Sequence, residues 1–176
     1  MEFGQQDFER MLFFEQARQT AENLTNWAGA LIELSQFQSR TDSVNFVKDA
    51  ISKLDEALGI NPRKHDILWS LGNANTSLGF YTSNIEDAKP YFTKAIQCFK
   101  QALDEDPGNQ LYLKSLDLAS KAPELHVEIH KQMANQQSAT VGPSASNTKV
   151  LLHGLVWPNL TFLPHLPDKD YRRLFG

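Results

Sequence analysis

Apolar and polar residues alternate with a helical period through the first three quarters of this chain. Phe8, Leu12 and Glu15 trace one side at 3.6-residue spacing, widened by Phe14 and Ala17, in a run from Gln5 to Ala28 with no Gly or Pro. The spacing predicts a helix over about residues 6–21. Asn23, Thr25 and Asn26 are the next helix-start signals, and Trp27, Leu31 and Leu34 make a second stripe that ends near Phe37. Residues 38–42 are polar, with Asp42 the expected N-cap. Val44, Val47, Ala50, Ile51, Leu54 and Leu58 then predict a helix closed by Asn61 and Pro62. Asp66 is read as the cap of a helix over 67–80. A further helix is expected over 111–122, and Pro123, favoured at a first helical position, is read as opening its partner over 124–135.

One pattern occurs twice, 45 residues apart: Ala50, Leu54, Ala57, Leu58 and Pro62, then Ala95, Phe99, Ala102, Leu103 and Pro107. Small, bulky, small and a terminating Pro at these offsets mark the second helix of a tetratricopeptide (TPR) repeat. The Ala residues let helices approach, Leu54 and Phe99 fill the space between them, and the prolines cannot continue a helix. Leu71, Gly72, Asn73 and Ala74 fit the first helix of such a repeat, with Gly72 at a helix crossing that has no room for a side chain. Gly72 precedes Ala95 by 23 residues, about eleven more than an ordinary repeat, and Ala30, taken as the counterpart of Gly72, precedes Ala50 by 20. Both repeats are therefore enlarged, by longer turns or by extended helices. The fold class is all-α, TPR-like helical hairpins. The domains expected are a receptor-like body over 1–135, a Ser/Ala/Gln/Gly/Pro-rich flexible linker over 136–149 and a divergent, disordered tail over 150–176.

Charge sharpens this picture. The chain carries a net −4, distributed as −6 over residues 1–135 and +2 over 136–176. An acidic body argues against nucleic-acid binding and suits a basic partner. The single Cys98 excludes an internal disulfide and points to a reducing compartment. No apolar leader is visible near Met1, and residues 150–166 are too interrupted to cross a membrane.

In a TPR stack the first helix of each repeat lines a groove. Counting from Gly72 places Leu24, Trp27, Leu31 and Leu34 there from repeat one, Asp66, Trp69, Asn73 and Thr76 from repeat two, and Leu111, Lys114, Leu118 and Lys121 from repeat three. The first segment is wholly apolar. A basic amphipathic helix fits such a groove on an acidic body, with its apolar face inward and its cations toward the carboxylates, and mitochondrial presequences have that composition. The bland alternative is that Trp27 and Trp69 plug helix–helix contacts. A co-chaperone that grips an acidic tail is a second reading, but it needs clustered Lys/Arg along the groove, where Trp27 and Trp69 stand instead. A docking subunit is a third. Nothing in the sequence suggests catalysis, a cofactor or a metal: His126 and His130 lack the order of a metalloprotease pair, two ligands make a poor zinc site, and both read as solvated surface histidines. Cys98 reads as buried packing.

Beyond these patterns, the opening Met1, Glu2 and Phe3, then Asp7 to Arg10, Leu12 to Glu15, Asn23 to Thr25, Leu34 to Phe37, Leu71 to Ala74, Tyr112 to Leu116 and Lys121 to Pro123 resemble the plant form of the twenty-kilodalton presequence receptor of the mitochondrial outer-membrane translocase. The resemblance runs from Met1 to about Gln132. It implies a TPR-like receptor on the cytosolic face of the mitochondrial outer membrane that binds presequences of precursors, works with other translocase subunits, and uses no cofactor. Two departures matter. About ten residues, including an Asn-Pro helix stop, are missing between Glu22 and Asn23, so the first helix is expected to be fused to, or misplaced against, the second, damaging the groove near Trp27. The family's C-terminal anchor is replaced by residues 150–176, which cannot span. A cytosolic product, or a soluble variant without receptor function, is the alternative.

Overall fold

The computed structural model describes residues 5–138. They form five α-helices: α1 Gln5–Ser35, α2 Arg40–Ile60, α3 His65–Tyr81, α4 Ile85–Glu105 and α5 Gln110–Ser138. No strand occurs among the described residues. Successive helices pack as neighbours, α3 also touches α5 and α1, and the short turns between helices make each neighbouring pair antiparallel. The result is the stack of helical hairpins that the repeats predict. Of the expected linker, residues 136–138 continue α5; its remainder and the tail over 150–176 lie outside the described residues.

The repeated pattern is the core. Ala50, Leu54, Ala57, Ala95 and Ala102 are wholly buried, and Phe99 is nearly so. Burying side chains of the size of Leu54 and Phe99 contributes about 1.5–3 kcal/mol each. Both repeats end alike: the Asn61 N–H donates to the Ala57 carbonyl and the Asp106 N–H to that of Ala102, each at 3.0 Å, and Pro62 and Pro107 follow in the turns. Gly72 crosses under Phe99, where a β-carbon would lie 2.5 Å from the ring, and Gly79 makes the same close approach to Phe92. Repeat one achieves its crossing differently. Ala30 is exposed and Ala28 is wholly buried, so the small residue of α1 stands two places before the expected position.

The enlargement is taken up by helix length. The turns after α1 and α3 are short, while α2 and α4 each run 21 residues, about 31 Å. The cap of α2 is Ser39, whose hydroxyl accepts from the Asp42 N–H and donates to the Asp42 carboxylate; Asp42 is thus the third residue of the helix, not the N-cap. Likewise α3 opens at His65, with Lys64 at the cap position and Asp66 in its first turn.

Two expected breaks do not occur. α1 is continuous for 31 residues, about 46 Å, so the fusion raised by the missing segment is what the chain adopts. The start signals are absorbed within the helix: Thr25 Oγ1 donates to the Ala21 carbonyl at 2.7 Å, and Asn23 accepts from Gln19. α5 also runs through Pro123, which therefore does not open a separate helix. The ring costs one ladder bond, while Ala119 and Ala122 before it and His126 after it are each buried at 1% exposure and hold the helix to its neighbours.

Candidate functional site

Of the described large apolar side chains after residue 20, the two most open, Phe37 and Trp27, lie on the turn after α1 and on its second half. Trp27, Leu31 and Leu34 follow one another at helical spacing. Trp27 is 56% exposed, Leu34 43% and Leu31 half-buried, and Phe37 extends the patch at 75%. Leu24, one turn before Trp27, is turned inward and buried. Lys53 of α2 sets its ammonium 5.1 Å from the centroid of the Trp27 ring and also pairs with Glu56. A cation on an indole face contributes about 0.5–1 kcal/mol at an exposed site and fixes the ring as a ledge.

Trp69 and Asn73 of α3 are placed otherwise. Both are 5% exposed. Trp69 Nε1 donates to Ser115 Oγ at 2.9 Å, and its ring lies 6.1 Å from that of Tyr112, whose hydroxyl shares a 2.7 Å hydrogen bond with His65 Nδ1. This cluster joins the start of α3 to the start of α5. Burial, with the charges of Asp66 and Asp106, pushes the Tyr112 hydroxyl up to about 12. Beyond it, α5 presents Leu111 and Leu118 half-buried and Lys114 exposed, and Lys121 is paired with Asp117. Asp66 is half-buried and Thr76 buried. The stripe of α1 and the side chains of α5 are therefore surface, whereas Trp69, Asn73 and Thr76 support α3 from within.

The far end of α3 is clamped by a group that the spacing of His126 and His130 did not reveal. His126 is 1% exposed, not solvated. Its Nε2 donates to the Thr82 carbonyl at 2.6 Å, and its ring packs with Phe80, Phe92 and His130. Arg40 donates twice to the neighbouring Tyr81 carbonyl, at 2.9 and 2.7 Å. Donors from α2 and α5 thus satisfy the carbonyl end of α3. Cys98 is buried, and burial pushes its thiol up to about 11, which makes it inert packing. Among the described residues no cluster of three or more His, Cys, Asp or Glu could hold a metal ion.

Comparison with known proteins decides the family. Residues 8–152 match the family described as the plant-specific mitochondrial import receptor subunit TOM20. The chain belongs to the plant TOM20 family. Mitochondrial import receptor subunit TOM20-2 of Arabidopsis thaliana is 49% identical over 148 residues, covering 78% of this chain and 70% of that protein. TOM20-3 of the same plant is 46% identical over 142 residues, covering 74% and 70%, and TOM20-4 is 46% identical over 158 residues, covering 84% and 78%. These TOM20 relatives are named as receptor subunits, not as enzymes. No helix among the described residues is long and apolar enough to cross a membrane.

Proposed function

We propose that this TOM20-family chain binds the basic amphipathic presequences of mitochondrial precursors and passes them to other subunits of the outer-membrane translocase at the cytosolic face of that membrane. The observation that carries the reading is the exposed stripe of Trp27, Leu31 and Leu34 on a body whose first 135 residues carry a net −6. A presequence helix lays its apolar face on this stripe and keeps its Arg and Lys toward the carboxylates. Leu111, Lys114 and Leu118 of α5 form the second contact surface. Leu24, Trp69 and Asn73 act beneath the surface, holding α1 and α3 in position. The carboxylate-clamp reading is not favoured, because Asn73 is buried and, of the two cations among the groove positions of α3 and α5, Lys121 is already paired with Asp117, which leaves Lys114.

Isothermal titration of the full chain with a basic amphipathic presequence peptide tests this. Saturable binding is expected that changes only a few-fold between low and high salt, since apolar contact is little screened. Trp27→Ala removes the central aromatic anchor and is expected to weaken binding at least ~10-fold, the minimum for a residue of that kind. Binding that collapses in salt, or that ignores the Trp27 substitution, would refute the proposal.

A further inference from the structure

The first half of α1 is an apolar helix with nothing packed on it. Within residues 8–14, Phe8, Met11, Leu12, Phe13 and Phe14 are 52, 55, 45, 67 and 69% exposed. Of the described side chains over residues 5–20 only Ala17 is even half-buried. α1 has ten residues more than α2, so about 15 Å of it has no antiparallel neighbour. From Ala21 onward one face of the helix, carrying Ala21, Leu24, Ala28 and Ile32, is buried against the body. A helix this short has little stability of its own in water, and a surface this apolar marks an interaction site.

The exposed apolar area and the charge decide what covers it. Large side chains carry about 150–250 Å² each, so the four that share one face of the helix, Phe8, Met11, Leu12 and Phe14, about half to two thirds exposed, present on the order of 400 Å². Two such surfaces closed on each other bury about 800 Å², the scale of a weak, transient contact. The charge of residues 5–20 is nearly balanced, with Asp7, Glu9 and Glu15 against Arg10 and Arg18, and Arg18 is already held by Glu15 and Glu22 within the helix. Neither a strongly basic peptide nor an anionic surface is selected, and a second copy is not repelled. At 100° per residue, Phe8, Met11, Leu12 and Phe14 fall within an arc of about 160°. A two-fold contact uses one patch twice, and its centre is set by the midpoint of the exposed segment, between Leu12 and Phe13.

We infer that residues 5–20 of α1 are a self-association surface, on which a second copy of this chain packs its own α1 antiparallel, with Phe8, Met11, Leu12 and Phe14 of both copies in the contact. The contact is weak, as its area requires, so dimer grows with concentration across the micromolar range.

Light scattering on the full chain as a function of concentration is the test. The expected result is a rise from 19.9 kDa toward twice that mass, abolished by the double substitution Phe8→Glu and Phe14→Glu with helical content retained. Leu12→Cys lies nearest the two-fold axis and is expected to form a disulfide-linked dimer on mild oxidation. The exposed Ser120→Cys does not, and the buried Cys98 stays unreacted. A chain that is monomeric at ~100 µM while fully helical overturns the inference. So does dimerisation that survives the double substitution, and so does a monomer whose α1 is instead captured by neutral lipid vesicles.

Discussion

Gly72 concentrates the energetics of this fold in one missing methyl. Replacing a helical Gly by Ala gains about 1 kcal/mol of helix propensity. Here the added carbon would lie 2.5 Å from a Phe99 ring that is itself buried at 1% exposure and cannot move aside. Overpacking of that kind costs about 1–3 kcal/mol, so Gly72→Ala is expected to destabilise on balance, seen as a lower urea midpoint at unchanged slope. His130 gives a second residue-scale outcome. Burial, followed by the charges of His126 and Arg40, lowers its proton affinity below the ordinary 6.5, against a hydrogen bond to the Phe80 backbone that raises it. The unfolded chain therefore binds this proton more readily than the folded one. The contribution of His130 is fully present above about pH 6.5 and is lost as the pH falls through its lowered folded value. Thermal melting at descending pH should show that loss, and His130→Gln should flatten it.

At the scale of the element, α1 and α5 are where sequence and structure part. The sequence held both facts needed for a continuous α1: no Gly or Pro between Gln5 and Ala28, and too few residues after Glu22 for a turn. Asn23 and Thr25 looked like start signals because short polar side chains favour caps, yet the same side chains can bond back within a helix, as Thr25 does to Ala21. Limited proteolysis with a glutamate-specific enzyme should leave Glu22 uncut, since it sits mid-helix; ready cleavage there would mean a break. In α5 the preference of Pro123 for a first helical turn was outweighed by a buried face that continues across it, from Ala119 and Ala122 to His126. The Ser39 cap is a smaller feature of the same kind. Ser39→Ala should cost about 1 kcal/mol, measurable as a fall in melting temperature.

For the whole molecule, the hairpin stack was legible because its determinants are local and repeated: Ala, a bulky residue, Ala and Pro at fixed offsets. The surface was less so. Counting positions from Ala30 assumed that repeat one copies repeat two, whereas the buried small residue is Ala28. A consensus count also cannot tell an exposed aromatic from a buried one at equivalent places, which is how Trp27 and Trp69 came to be grouped. His126 was missed for the same reason: its partners, Thr82 and the rings of Phe80 and Phe92, are more than thirty residues away in sequence.

The contrast between those two tryptophans has a spectroscopic consequence. Trp27 stands in solvent beneath an ammonium, and Trp69 is enclosed with its indole N–H committed to Ser115. Once Trp157 is replaced by Phe, the emission divides into a red component open to an aqueous quencher and a blue one shielded from it. Covering the α1 stripe should remove the first while leaving the second, and global unfolding should merge them, so occupancy and integrity can be read separately from one sample.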